Sequence, residues 1–146
     1  MATEPALVDA CSDLVMYASR LTRAIRRRHE MSAGLRVLAL LDQHGPLGIT
    51  QLAHLDRCSQ PTMSAAVGGL VERGWLAKEP HPTDRRGSVV ALTDEGSAEL
   101  RRARRANGEA IAARVRERTD HTTDEVLTAV AVLRDLLETD DDEGTP

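Results

Sequence analysis

The sequence is nearly devoid of aromatic residues, with one Trp, one Tyr and no Phe among 146 residues. A core must therefore consist of aliphatic side chains and Met, which favours helices over a β-sandwich. Long apolar runs are also missing, since stretches such as 37–41 are far shorter than the roughly 18 residues that a membrane span needs. The first residues are acidic and do not match a secretory signal. A helical, cytoplasmic protein of one domain, with no membrane partner, is expected.

Cysteine is scarce, because only Cys11 and Cys58 occur and they have no CxxC spacing. This argues against a disulfide framework and a zinc knuckle, so reduced thiols are expected. The five histidines show neither HExxH spacing nor a nearby cysteine pair, and the sequence contains no GxSxG motif and no glycine-rich phosphate loop. No metal site, no cofactor and no catalytic residue set are predicted, and an enzyme is not expected.

The net charge of −4 does not by itself indicate a nucleic-acid partner, since domains that bind DNA usually have a basic face. Six acidic residues lie within the last dozen positions: Asp135, Glu138, Asp140, Asp141, Asp142 and Glu143. Without this acidic end the balance becomes slightly positive. The arginines are clustered at 26–28, 85–86, 101–102 and 104–105. Because the local field attracts DNA, the sequence permits such a partner.

Apolar spacing predicts helices through the first half of the chain. Apolar or small residues recur every three or four positions from Leu7 to Ile25, which predicts a long amphipathic helix. A second, shorter helix is predicted to begin at an N-cap, Ser32, and to end at Gly45 and Pro46.

A third helix of barely two turns is predicted to begin at an N-cap, Thr50, and to bury Leu52, Ala53 and Leu55 before the chain turns at 57–58. Ser59 is then predicted to cap a fourth helix. Gly74 should end this helix. Four apolar residues along it should face the core: Met63, Val67, Leu70 and Val71. Pro61 falls in its first turn, where the missing N–H costs nothing. The two helices are thus joined by a very short turn.

After Gly74 the periodicity predicts two short strands, at 75–78 and 88–92. The polar loop between them, 80–87, contains the turn formers Pro82, Asp84 and Gly87 and should project into solvent as a wing.

Two further helices are predicted beyond the wing. The first is capped by Thr93 and the acidic residues that follow it, and the second begins at the capping box of Thr122 and Glu125. Apolar residues repeat every three or four positions from Val126 to Leu137. The segment from Asp140 onward is acidic and is expected to fray.

The predicted first and last helices both have an apolar stripe that the compact middle segment does not cover. Two arrangements remain open: the helices pack on each other within one chain, or they also form a symmetric dimer interface.

A short helix, a tight turn, a second helix and a strand-loop-strand follow one another in the order of a winged helix-turn-helix. The residues resemble the MarR family of bacterial transcription factors. The similarity includes Thr50-Gln51-Leu52-Ala53, the stretch 70–74 (LVERG), Asp84-Arg85-Arg86 and the stretch 92–96 (LTDEG). The most specific part is Asp84 and Arg86 followed by Leu92-Thr93 and Gly96, and the resemblance extends over essentially the whole chain.

The resemblance implies a mainly α fold with a small β-wing, in which N- and C-terminal dimerisation helices flank the winged helix-turn-helix. It divides the chain into an N-terminal dimerisation helix (1–31), a DNA-binding lobe (32–92) and C-terminal dimerisation helices with the acidic tail (93–146). It also implies a homodimeric repressor that binds a palindromic operator and is released by a small-molecule effector, with pocket walls from the first, second and fifth helices. An activator remains an alternative.

Polar residues at the start of the fourth helix are the candidates for contact with DNA: Ser59, Gln60, Thr62 and Ser64. Their side chains lie off the apolar stripe and suit base edges or phosphates in a major groove. Gln60 is the best base reader, because its amide can pair bidentately with adenine. Capping alone is a sufficient explanation for Ser59, and solvent exposure is the alternative for the others.

In the wing, the resemblance implies that Arg86 enters the minor groove, and Arg85 is the candidate for a phosphate contact. Asp84 is expected to be a scaffold, since a carboxylate near phosphates is repelled unless a cation pairs with it. Lys78 or Arg73 is the candidate cation. The alternative for the two wing arginines is a solvated loop.

The two cysteines are also candidates for redox sensing, because some relatives carry a reactive thiol near the start of the first helix. Cys11 lacks a supporting tyrosine, since Tyr17 falls on the opposite side of that helix, so a buried structural thiol is favoured. Cys58 precedes the fourth helix, where oxidation would disturb DNA binding. A different class of function also stays open: a winged-helix dimer that serves as a protein-interaction module with little affinity for DNA.

Overall fold

The computed structural model describes residue 1 and residues 3–28 and 33–138. The predicted N-cap Ser32 and the acidic end from Asp140 lie outside the described residues. The helices and strands in chain order are α1 (Glu4–Arg28), α2 (Ala33–His44), α3 (Ile49–Asp56), α4 (Gln60–Glu72), β1 (Leu76–Pro80), β2 (Ser88–Leu92), α5 (Asp94–Arg118) and α6 (Thr123–Glu138). The predicted fold class, mainly helical with a small antiparallel sheet, is confirmed.

The described residues form two compact units that divide between Asn107 and Gly108. The first unit contains the helix-turn-helix, the sheet and a core of aliphatic side chains and Met. The core side chains with least exposure are Val37, Leu38, Leu52, Met63, Val67 and Val90. These residues come from α2, α3, α4 and β2, so one core fixes the positions of the helix-turn-helix and the sheet. None of the described helices is long and apolar enough to cross a membrane.

The two strands pair antiparallel, with Leu76 opposite Leu92 and Pro80 opposite Ser88. Leu47 extends this sheet by an isolated bridge, in which its N–H and carbonyl exchange hydrogen bonds of 3.1 and 2.8 Å with Val90. The second strand agrees with the predicted 88–92. The first is displaced from the predicted 75–78, because Trp75 still belongs to the connection that leaves α4.

The predicted start of α3 is wrong, since its N-cap is Gly48 rather than Thr50. The Gly48 carbonyl accepts the first helical hydrogen bond from Leu52, at 3.0 Å, and the Gly48 N–H donates to Oε1 of Gln51, also at 3.0 Å. The Gln51 side chain therefore supplies the cap two residues earlier than the Thr50 hydroxyl would. Leu55 is 43% exposed, so only Leu52 and Ala53 form the buried side of α3.

Candidate nucleic-acid interface

A tight turn after α3 directs the start of α4. Arg57 adopts the left-handed conformation with φ of 55°, and the Cys58 N–H donates 3.0 Å back to the Ala53 carbonyl. Ser59 then caps α4 as predicted: its Oγ accepts a hydrogen bond of 3.2 Å from the Thr62 N–H and lies 2.7 Å from the Thr62 hydroxyl. The first turn of α4 is therefore fixed by its own side chains.

The two sides of α4 differ sharply. Met63, Val67 and Leu70 are buried in the core, as the spacing predicted. The four residues proposed from the sequence for contact with DNA are all exposed: Ser59, Gln60, Thr62 and Ser64. Of these, Ser59 and Thr62 already share a hydrogen bond, whereas Gln60 and Ser64 are one turn apart and lie on the same side of the helix. Gln60 thus has a long, exposed amide side chain at the N-terminal end of α4. The free backbone N–H groups at this end of a helix attract anions.

The wing tip is closed by its own backbone. The His81 N–H donates to the Gly87 carbonyl at 3.1 Å, and the Gly87 N–H donates to the Asp84 carbonyl at 3.2 Å. The Asp84 carboxylate accepts a hydrogen bond of 3.0 Å from the Arg86 N–H. Arg85 and Arg86 are both exposed at this tip.

Sequence reasoning missed the role of His81. Its Nδ1 accepts hydrogen bonds from the backbone N–H groups of Thr83, at 3.2 Å, and Asp84, at 3.0 Å. The only local signal is a hydrogen-bonding side chain directly before Pro82, a position from which polar residues often organise a turn. Histidine is not among the usual residues for that position, so the signal is weak.

The structure does not bring the proposed cations to Asp84. Arg73 places its guanidinium 5.1 Å from the centre of the Trp75 ring, and Lys78 is exposed on β1. Within residues 3–28 and 33–138, neither forms an ion pair with Asp84. The Asp84 side chain instead bonds to the wing backbone.

The wing is anchored where α5 begins. Thr93 caps α5, since its hydroxyl accepts from the Gly96 N–H at 3.0 Å, and the same hydroxyl donates to the Gly74 carbonyl at 2.6 Å. The Thr93 N–H donates to the Trp75 carbonyl at 3.1 Å. A Cβ added at Gly96 would overlap that Trp75 carbonyl oxygen, so only glycine allows the approach.

The two cysteines differ in exposure. Cys11 is exposed on α1, so the prediction of a buried thiol is wrong for the single chain. Cys58 is half-buried against the core of the first unit. In the part of the chain that the structure describes, no group of three or more His, Cys, Asp or Glu side chains could hold a metal ion.

Large apolar side chains remain exposed on α1 in the first unit and on α6 in the second. Leu7 and Val15 on α1 and Val130 and Leu137 on α6 are between 54% and 68% exposed. The first unit also has a cleft of about 220 Å³, lined by side chains of α1, α2 and α3 that include Arg26, Arg36, Leu55 and Asp56.

Comparisons with known proteins agree with this geometry. A sequence model of the MarR family matches residues 32–88, the segment from α2 to the start of β2. An uncharacterized HTH-type transcriptional regulator of Mycobacterium bovis (Mb0904) is 32% identical over 108 residues, which cover 71% of this chain and 76% of that protein. A second one, from Mycobacterium leprae (ML2140), is 28% identical over 131 residues, covering 87% and 92%.

Solved structures share the fold. The crystal structure of RV1404 from Mycobacterium tuberculosis superimposes with a TM-score of 0.61 at 30% identity and covers 90% of this chain and 95% of that one. Wild-type MarR from E. coli, in its apo form, gives a TM-score of 0.57 at 21% identity, with 94% and 98% covered. The winged-helix arrangement is therefore common to this chain and to those proteins.

Proposed function

Because the chain belongs to the MarR family of transcriptional regulators, we propose that it is a homodimeric repressor that binds a palindromic operator and is released by a small-molecule effector. Residues 32–92 form the DNA-binding lobe in this proposal, and 1–31 and 93–146 serve dimerisation. In such a dimer, α4 of each protomer is the recognition helix, and the two copies contact half-sites about one DNA turn, roughly 34 Å, apart.

The observation that carries the proposal is that one unit exposes both a polar helix start and an arginine-bearing wing tip. Gln60 at the start of α4 suits a bidentate pair with adenine in the major groove. Arg86 suits the narrow minor groove of A·T-rich DNA, and Arg85 suits a phosphate. The wing loop 81–87 contains no large aliphatic residue and no Trp, Tyr or Phe, which favours DNA over an apolar protein partner.

Fluorescence anisotropy tests the proposal, with purified protein, DNA from upstream of its own gene, random duplex and a salt series. Arg86→Ala is compared with Arg101→Ala, which removes an exposed arginine from α5. We expect tight binding that weakens steeply with salt. The slope of the logarithm of the binding constant against the logarithm of the salt concentration should be smaller in magnitude by about one in Arg86→Ala than in the wild type, and unchanged in Arg101→Ala. If the variants bind alike, Arg86 is not a DNA contact. If the wild type binds no duplex better than random DNA, genome-wide selection of bound fragments decides whether an operator lies elsewhere.

The exposed apolar residues of α1 and α6 support the dimer, because single chains rarely leave such a face in water. Light scattering after size exclusion tests it. Val130→Asp places a charge on the apolar stripe of α6 and should shift the protein toward monomer. Thr128→Asp places the same charge on the same helix off the stripe and should remain dimeric. A monomeric wild type would contradict this part of the proposal.

The cleft beside Arg36 is the proposed site for an effector, since its wall combines arginine and leucine side chains. A panel of phenolic acids tests this by release of bound DNA. Leu55→Trp fills the cleft and should abolish release by any active compound while DNA binding is retained. Undiminished release from this variant would place the effector elsewhere.

A further inference from the structure

The wing tip is built around the imidazole of His81. Two backbone N–H groups, of Thr83 and Asp84, point at the same nitrogen, Nδ1, over 3.2 and 3.0 Å. A backbone N–H can only donate, so Nδ1 must hold a lone pair, and the imidazole must be neutral with its proton on Nε2. A protonated imidazole carries a hydrogen on both nitrogens and cannot accept either bond.

We propose that His81 is a positioning residue that holds the wing tip in its DNA-binding conformation only while its imidazole is neutral, so that operator affinity falls as the imidazole takes up a proton. This inference rests on the proposed function, since it concerns how the wing presents Arg86 to DNA. The conformation of the wing loop would then depend on pH through the His81 side chain.

The connection from His81 to Arg86 passes through Asp84. The Asp84 N–H is held by His81, and the Asp84 carboxylate in turn holds the Arg86 N–H at 3.0 Å. Protonation of Nδ1 turns an acceptor into a donor that faces two other donors. The Asp84 N–H then loses its acceptor, which loosens the backbone that orients Arg86.

The charged groups next to His81 along the chain belong to the wing loop and to β1. The wing loop contributes Asp84, Arg85 and Arg86, β1 contributes Lys78 and Glu79, and β2 has no charged residue. Phosphates of bound DNA add negative charge and favour the protonated imidazole, which opposes the proposed effect. A single exposed charge is strongly screened at physiological salt, whereas the loss of both acceptor bonds disturbs the whole tip. The loss of order is therefore expected to dominate.

Operator binding measured by anisotropy at about pH 8 and about pH 5.5 tests the proposal. His81→Asn keeps a side-chain acceptor for the N–H groups two and three residues later and does not titrate. His81→Ala removes the acceptor. The other four histidines are present in all three proteins, so the difference between profiles reports on His81.

We expect the wild type to lose about five- to tenfold more affinity than His81→Asn as the pH falls, and His81→Ala to bind about as weakly at both pH values. Equal pH profiles for the wild type and His81→Asn would overturn the proposal, as would tighter wild-type binding at low pH relative to His81→Asn. Binding by His81→Ala equal to that of the wild type at pH 8 would also overturn it.

Amide NMR spectra of the free dimer separate this inference from the proposed function. The Thr83 and Asp84 amide signals should move with pH in the wild type and stay constant in His81→Asn. If they stay constant in both, His81 is not the pH-sensitive acceptor. If these amide signals move in the wild type but no duplex is bound at either pH, His81 is the pH-sensitive acceptor of the wing. The proposed function and the role of His81 in DNA binding would then both be wrong.

Discussion

The Thr93 hydroxyl donates a hydrogen bond of 2.6 Å to the carbonyl oxygen of Gly74, two residues before β1 begins. Gly74 has φ of 79°, a conformation that glycine adopts without strain, and its carbonyl is thereby directed at α5. Since the same hydroxyl caps α5, one side chain connects the residues that follow α4 to the start of α5.

Thr93→Val is expected to lower the free energy of unfolding by about 1–3 kcal/mol, because it removes a helix cap and leaves the Gly74 carbonyl without its donor at nearly constant volume. Urea unfolding followed by circular dichroism measures this. Thr128→Val is the control, since it removes only an exposed bond to the Asp124 carbonyl one turn back along α6. Equal losses in the two variants would contradict the assigned role.

Gly96→Ala and Gly108→Ala are expected to have opposite effects on stability, although both lie in α5. A Cβ at Gly96 meets the Trp75 carbonyl, and the displacement should cost about 1–3 kcal/mol. A Cβ at Gly108 meets nothing within 4 Å, so the higher helix propensity of alanine should add up to about 1 kcal/mol. Thermal unfolding of both variants checks the signs.

Asp56→Asn is expected to destabilise the protein more than Asp42→Asn. Asp56 is 11% exposed and takes two hydrogen bonds from Arg36, at 3.0 and 3.4 Å, which join α2 to α3. Asp42 is 44% exposed and pairs with Arg104 in water. We expect a loss of about 1–3 kcal/mol for the first and less than about 1 kcal/mol for the second. Denaturant unfolding measures both, and the reverse order would contradict this ranking.

The pKa of Glu125 lies below its usual value, because the Thr122 backbone N–H donates to its carboxylate at 2.8 Å and the His121 side chain adds a second hydrogen bond. A depressed folded pKa stabilises the protein above the unfolded pKa, and the contribution disappears as the pH falls through the folded pKa. The melting temperatures of the wild type and Glu125→Gln should therefore converge in acid. NMR titration of the carboxyl group checks the direction, and a value above the usual one would refute it.

Gln60→Ala is expected to reduce the preference for the operator over random duplex by about fivefold to 150-fold, the range for one bidentate base contact. Ser59→Ala should instead lower stability by about 1 kcal/mol, because its hydroxyl caps α4. Competition anisotropy and thermal unfolding separate the two effects. An unchanged preference in Gln60→Ala would show that Gln60 reads no base.

Features that depend on neighbours in sequence were predictable. Ser59 and the Thr122–Glu125 pair were recognised as caps, because each contact spans three residues and needs only a hydroxyl or carboxyl at fixed spacing. The order of helices, turn and wing followed from the change in apolar period between Val71 and Val89.

Features that depend on competition between alternative helix caps, or on packing between residues far apart in sequence, were not predictable. Thr50 is a better cap by residue type, yet the Gln51 side chain makes Gly48 the cap. Leu55 matches the periodicity of α3, but the core of the unit does not extend to it. His81 was missed because its role depends on a loop geometry that brings two N–H groups to one nitrogen.

Aromatic residues are confined to the first unit, where Trp75 lies under Arg73 at the junction of α4 and β1. Residues 108–146 contain no Trp, Tyr or Phe, so the second unit is spectroscopically silent in the near ultraviolet. Tryptophan fluorescence therefore reports unfolding around the wing alone, whereas far-ultraviolet dichroism reports the helices of both units. Coincidence of the two curves would show that the units melt as one cooperative block, and the gap between two separate midpoints would measure their independence.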